Sequence, residues 1–343
     1  MKRIINNIKR QLALAVPLIM FLCLIGSTGY AQDKGKAKQK KGMFARLFNN
    51  EPPKVKPVKN MFPSVWIADN QTPTVPVKGT LEVDIQHRFG VINNGYSSDF
   101  YGFFAPSNIR LGVNYAPIKN LFVGVGITKY NMTVDGNLKY AIIQQTKGKY
   151  PVSVSYYGNM GVDTRKDKDG SLFKYSTQRL SYFNQLIIGR KVTDRFSIMV
   201  APSISHQNSV TGYYTKNDST GQDIFRDMKN NHFAIAVAVR YRITEKTSVM
   251  INYDQPLTKH NTNNPDPNLA IGIEMNTSSH SFQFFLGNYY NLSPQMNNLF
   301  NKNAPFSYTD KTMTHPNRMD SNPEKVRGGR FLIGFNITRL WNY

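Results

Sequence analysis

Leu81-Glu82-Val83-Asp84-Ile85-Gln86-His87-Arg88-Phe89 and Ile109-Arg110-Leu111-Gly112-Val113-Asn114-Tyr115 decide the fold. In both stretches apolar and polar side chains alternate with a period of two, the spacing at which neighbouring residues of an extended chain point to opposite sides. The apolar set is large and aliphatic or aromatic. The opposite set holds Glu82, Asp84, Gln86 and Arg88, then Arg110, Gly112 and Asn114, which are small or polar and lack the Lys and Glu coat of a solvated sheet. That pairing predicts strands with one face toward lipid and the other toward an enclosed polar interior.

The same alternation returns along the chain, for example at Leu121 to Ile127, Leu180 to Ile188, Phe233 to Tyr241, Leu269 to Met275 and Phe331 to Ile337. Twelve such segments are legible. Their connections alternate in length. Short links such as 116–120, 192–195, 243–246 and 277–280 follow even-numbered segments, and long ones, 91–106, 158–177, 206–231, 255–267 and 291–327, follow odd-numbered ones. The exception is Val134-Asp135-Gly136-Asn137, whose Asp-Gly pair suits a tight type I′ turn. The expectation is an all-β, up-and-down antiparallel transmembrane barrel over 61–343, with long extracellular loops and both termini periplasmic.

Composition narrows the alternatives. The chain has 343 residues with 43 Lys plus Arg against 21 Asp plus Glu, a net charge of +22, and 12% aromatic residues, too many for a disordered polymer. Lys2, Arg3, Lys9 and Arg10 precede an apolar run from Leu12 to Ile25 and the small-residue stretch Gly29-Tyr30-Ala31, the order of a secretory signal peptide over 1–31. Leu22 before the single cysteine, Cys23, argues against a lipoprotein. Residues 32–60 carry nine Lys or Arg and two acids and read as a basic, flexible periplasmic linker. Export argues against nucleic acid as its partner; anionic headgroups or wall polymers suit it better.

Leu81 to Asn93, with His87-Arg88-Phe89-Gly90 at the strand end, then Ile109 to Tyr115, Gly136 to Tyr140, Gln144-Gln145-Thr146 and Pro151 to Val154, resemble the β-barrel family catalogued as domain of unknown function 5777, typical of Bacteroidetes. The resemblance implies an outer-membrane-type barrel and brings no activity. The aromatic end Trp341-Asn342-Tyr343 is similar to the signal read by the outer-membrane barrel assembly machinery, with Arg339 interrupting the alternation.

No constellation predicts catalysis, a cofactor or a metal. His280 and Ser281 are neighbours and point to opposite faces. His206, Asn208 and Ser209 share a loop and form the one Ser-His grouping to examine. Asp163, Asp167 and Asp169-Gly170 lack calcium-loop spacing, and Gly124-Val125-Gly126 precedes no helix that could hold a phosphate. His87 has lipid-facing parity at headgroup height. The candidate site is a lumenal charge cluster: Arg88, Arg110 and Arg330 toward the extracellular mouth, with Glu82 and Asp84 deeper, able to filter ions or simply to pair and fill the interior. The expected function is a narrow channel or small-solute transporter. The alternatives are a lipid-modifying or proteolytic barrel enzyme and a structural or adhesion barrel. Whether 61–78 fills the lumen or adds a strand is open at this stage.

Overall fold

The computed structural model describes residues 56–167, 170–210, 212–216, 219–260, 264–309, 325–326 and 328–342. The signal peptide, most of the linker, Asp169 and the terminal Tyr343 lie outside them. The chain divides into two units. In the smaller, Pro57 bridges Thr146, and Thr146 bridges Tyr150. The larger, 58–144 with 152–343, is the barrel.

Twelve antiparallel strands close into a ring. They are β1 (Thr80–Val91), β2 (Asn108–Tyr115), β3 (Leu121–Thr128), β4 (Thr133–Ile143), β5 (Ser153–Asp163), β6 (Leu180–Lys191), β7 (Phe196–Gln207), β8 (Asn231–Arg242), β9 (Thr247–Pro256), β10 (Asn268–Asn276), β11 (His280–Gly287) and β12 (Leu332–Asn342). Each pairs with the next, and β12 closes on β1 with a register shift between Leu332 and Gly334. Closure removes the sheet edges whose unpaired backbone groups hydrocarbon would not tolerate.

The two faces separate as the period-two reading expects. Glu82, Asp84, Gln86 and Arg88 are buried, whereas Leu111, Val113, Ile127, Ile271 and Phe284 remain more than 40% exposed on the outside. So large an apolar girdle on a folded chain is a surface for lipid. The long connections after β1, β5, β7, β9 and β11 share one end of the ring, opposite the short turns at 116–120, 192–195, 243–246 and 277–279.

One turn differs from expectation. Asp135-Gly136 lies inside β4, and the chain reverses instead at Tyr130–Met132, where Asn131 and Met132 have positive φ. The reason is electrostatic: the Asp135 carboxylate faces inward and is bound by Arg110.

Segment 61–78 adds no barrel strand. It folds into the lumen around a two-residue ladder, Trp66–Ile67 with Asn70–Gln71, turned at Ala68, whose φ is 54°. Residues 61–72 are buried there, apart from a half-buried Pro63. The wall is shaped to admit side chains at close quarters. A β-carbon on Gly126 would overlap the Arg110 guanidinium, so that site demands a residue without one. Gly126→Val is expected to destabilise the barrel by about 1–3 kcal/mol through overpacking, read as a lower urea midpoint for protein folded in vesicles.

Candidate functional site: a plugged, charge-lined lumen

The first wall patch is a carboxylate–guanidinium cluster. Register puts Gln86 opposite Arg110 and Asp84 opposite Gly112. Arg110 donates from Nη1 to Asp84 Oδ1 at 2.8 Å, from Nε to Asp135 Oδ1 at 2.9 Å and from Nη2 to Asp135 Oδ2 at 2.8 Å. Asn114 donates to Asp84 Oδ2 at 2.9 Å and to Glu82 Oε1 at 3.3 Å, and Asn159 to Asp135 at 3.1 Å. This is one bidentate and one single ion pair, each with supporting amides, the arrangement that makes buried charge tolerable.

The remaining members of the sequence-predicted cluster are distributed differently. Arg88, fully buried on β1, turns toward the seam: its Nη1 donates to Asn336 Oδ1 at 3.0 Å on β12, and its guanidinium lies 4.6 Å from the Phe285 ring on β11. Its Nε and Nη2 have no partner among the described residues. Arg330 is exposed in the connection before β12, tied through its backbone to Asn303. The structure therefore joins Glu82, Asp84 and Arg110 through Asn114, and sets Arg88 and Arg330 apart from them. A second buried pair, Arg240 Nε to Glu274 Oε1 at 2.7 Å, links β8 to β10 and was not singled out from sequence. Both residues have lumenal parity, which was the available signal.

The plug meets this wall on two unlike sides. On the polar side, Lys139 Nζ donates to Gln71 Oε1 at 2.7 Å and, at 3.4 Å, to the carbonyls of Val65 and Thr72. Asn70 Nδ2 donates to Asp254 at 2.7 Å, while its oxygen accepts from Gln185 at 2.9 Å. Gln283 and Asn336 reach the main chain at Trp66 and Ala68. On the other side Met61, Phe62, Ile67 and Ala68 share an apolar cluster with Phe183, Ile187, Met199 and Met250 and the alanines 201, 236, 238 and 270. These small wall residues leave room for the plug's larger side chains to seat.

At the long-loop end a cavity of about 500 Å³ opens, lined by residues that include Tyr290, Asn297, Phe300, Lys302 and Arg330 and no acid. Asn297 links it to the plug, donating to Asp69 Oδ2 at 3.0 Å. It belongs to the helix Pro294–Phe300.

The sequence-predicted histidines form no catalytic relay among the described residues. Both ring nitrogens of His206 engage asparagines, Asn231 at 2.7 Å and Asn208 at 2.8 Å, which leaves none for Ser209. His280 stacks on Phe282, and Asp163 pairs with Arg165 at 2.7 Å. His87 stacks on Phe335, 5.1 Å between ring centroids, on the outer face. An unforeseen pair joins the loop after β9 to the start of β8, where His260 and His232 bring their Nε2 atoms to 3.3 Å.

Over residues 62–341 the chain matches the family described as a membrane bound beta barrel domain (DUF5777). It belongs to that family. No curated protein matches the sequence. Among solved structures it is similar to the NanC porin, at 11% identity and a TM-score of 0.40 over 77% of this chain and 99% of that one. It is also similar to the COG4313 outer membrane channel from Pseudomonas putida F1, at 12% identity and a TM-score of 0.42 over 78% and 97%. The Pseudomonas putida toluene transporter TodX follows at 7% and 0.33 over 79% and 91%.

Two outcomes test the site. Arg110→Ala leaves two buried carboxylates unpaired and is expected to cost about 3–5 kcal/mol in urea unfolding, with much of the loss restored by adding Asp84→Asn and Asp135→Asn. Burial pushes the His260 imidazole down to about 4, helped by the neighbouring His232, Lys229 and Lys302. A released loop would titrate near the ordinary 6.5. Protons therefore bind the released form first: loop packing is at full strength above about pH 6.5 and weakens as pH falls toward 4. Limited proteolysis should cut within 257–267 faster at pH 4.5 than at 7.5, and His260→Phe should flatten that dependence.

Proposed function

We propose that this chain is an outer-membrane channel for small solutes, with both termini periplasmic, whose lumen is closed at rest by segment 61–78. The observation that carries the reading is the chemistry of the wall. A filled interior can pair its charges for good, but this lumen holds Asp84, Arg110, Asp135, Lys139, Arg240, Asp254 and Glu274 against a plug whose polar contacts water can replace. If the plug leaves, that lining is already wettable. Contacts such as Lys139 to Gln71 and Gln185 to Asn70 exchange for water at a net cost of about 0.5–1.5 kcal/mol each. The signal-peptide pattern expected over 1–31, and Trp341 near the end of β12, a residue of the kind the assembly machinery would read, support the outer membrane as the address. In this reading Glu82, Asp84, Arg88 and Arg110 line the opened passage, and Arg330 stands at its entrance beside the cavity.

A second reading, a structural or surface barrel with a permanently filled lumen, is favoured by the apolar seat of Met61, Phe62 and Ile67. Planar-bilayer recording separates the two. The intact chain should be silent or open rarely. Deletion of 61–78, or Gly189→Leu, which wedges a side chain against Pro73 of the plug, should give stable conductance steps. In the opened form Arg88→Gln should move the reversal potential toward cations, because a fixed positive charge is lost. Silence from both plug variants in folded barrels discards the channel and leaves the filled one.

A further inference from the structure

The connection between β1 and β2 carries Tyr96-Ser97-Ser98-Asp99-Phe100-Tyr101-Gly102-Phe103-Phe104, and its aromatic rings are displayed rather than packed away. Phe104 is 82% exposed and Tyr96 69%, with Phe100, Tyr101 and Phe103 at 40% or more. The loop is held in this shape from within. Asp99 accepts from the Gly102 N–H at 2.8 Å and from Asn94 at 2.7 Å, and the Gly90 N–H donates to the Gly102 carbonyl at 2.9 Å. Phe100 and Tyr101 occupy the left-handed region, with φ of 50° and 57°, a conformation that side-chain-bearing residues avoid. A fixed loop that spends its internal hydrogen bonds on presenting five rings has something to press them against.

The rings show what that is. They continue, ring by ring, from the outward face of the barrel. His87 stacks on Phe335 across the β1–β12 seam; Phe89 lies 6.0 Å from Phe335 and 4.9 Å from Phe103. Phe103 then lies 6.2 Å from Phe100, which lies 5.9 Å from Phe104 and 5.3 Å from Tyr96. His87, Phe89 and Phe335 share the parity of the lipid-facing set, opposite the lumenal Arg88 and Asn336. The patch is thus the upper end of the apolar girdle, where amphipathic rings settle between headgroups and acyl chains.

We propose that residues 96–104 form an aromatic foot that lies in the headgroup–acyl boundary of the bilayer and anchors the barrel at its closing seam. The location gives the foot a purpose. The β12–β1 pairing contains the register shift at Leu332/Gly334, and the same ring chain crosses that irregular joint. Lipid held against the foot covers the seam where its ladder is interrupted. The occupant is the lipid surface itself, since the patch continues an interface the strands already make with it. A protein partner or a lid over the mouth would have to leave the girdle.

The sequence permits a direct test, because the single cysteine is Cys23. Nitroxide labels are placed at Phe104→Cys or Tyr96→Cys in a Cys23→Ala background, in the full chain in phosphatidylethanolamine–phosphatidylglycerol vesicles. Collisional accessibility to oxygen, which concentrates in lipid, is compared with that to a water-soluble nickel chelate. Labels at Leu111→Cys on the girdle and Lys119→Cys on a short turn give the two reference patterns. Positions 96 and 104 should be more accessible to oxygen than to nickel, the reverse of position 119. A nickel-dominated pattern at both places the loop in water, and protection from both reagents places it under protein; either overturns the foot. Both positions are exposed, so neither substitution bears on folding, and the measurement does not depend on whether the barrel conducts.

Discussion

Hydrocarbon offers no hydrogen bonds, and the rest of the molecule follows from that deficit. A chain that crosses a bilayer as strands must close its sheet, because each unpaired backbone group left in lipid costs several kcal/mol. The β12–β1 pairing supplies the closure. A closed sheet with alternating side chains encloses half of them, and whatever polarity the enclosed half carries must be neutralised within the ring. Arg110 between Asp84 and Asp135, and Arg240 against Glu274, are that neutralisation. They are not surface ion pairs of small worth: with their side chains buried, loss of one partner would strand the other.

The same deficit explains why irregular backbone can lie at membrane depth only inside the ring. Segment 61–78 makes few main-chain bonds of its own, and wall side chains complete it. Ser155 donates to the Pro73 carbonyl, Asn336 to Ala68 and Gln283 to Trp66, while the Ala68 N–H donates to the Gln283 oxygen. Plug and wall are therefore one hydrogen-bonded system, and amides on β11 and β12 beside the seam belong to it.

The strands were legible because a two-residue period is a local signal, repeated in each of the twelve. The plug was not, because its partners are distant in sequence, as with Ala68 and Gln283, 215 residues apart, and because its own residues follow no period. Asp135-Gly136 misled for a related reason: the pair has turn chemistry, but the demand of Arg110 for a second carboxylate outweighs it and draws the residues into β4. In the charge cluster, parity placed Glu82, Asp84, Arg88 and Arg110 on the inner face. It could not say that Arg88 would turn toward Phe285 and Asn336, since that depends on the strand across the seam. Arg330 lies beyond the start of β12, where alternation no longer assigns a face.

The two sides of the plug have different energetic roles in the channel reading. Polar contacts hold the segment in register, and each one that exchanges for water in an opened lumen, as at Lys139, Gln185 and Asn336, gives up about 0.5–1.5 kcal/mol. The apolar seat adds to them, because water offers its side chains no replacement contact. Met61, Phe62 and Ile67, at about 1.5–3 kcal/mol for each side chain removed from water, together favour the closed form by about 5–9 kcal/mol. That exceeds the ~4 kcal/mol at which the open form falls to about one in a thousand. A plug seated this way does not drift out; it is drawn out or stays.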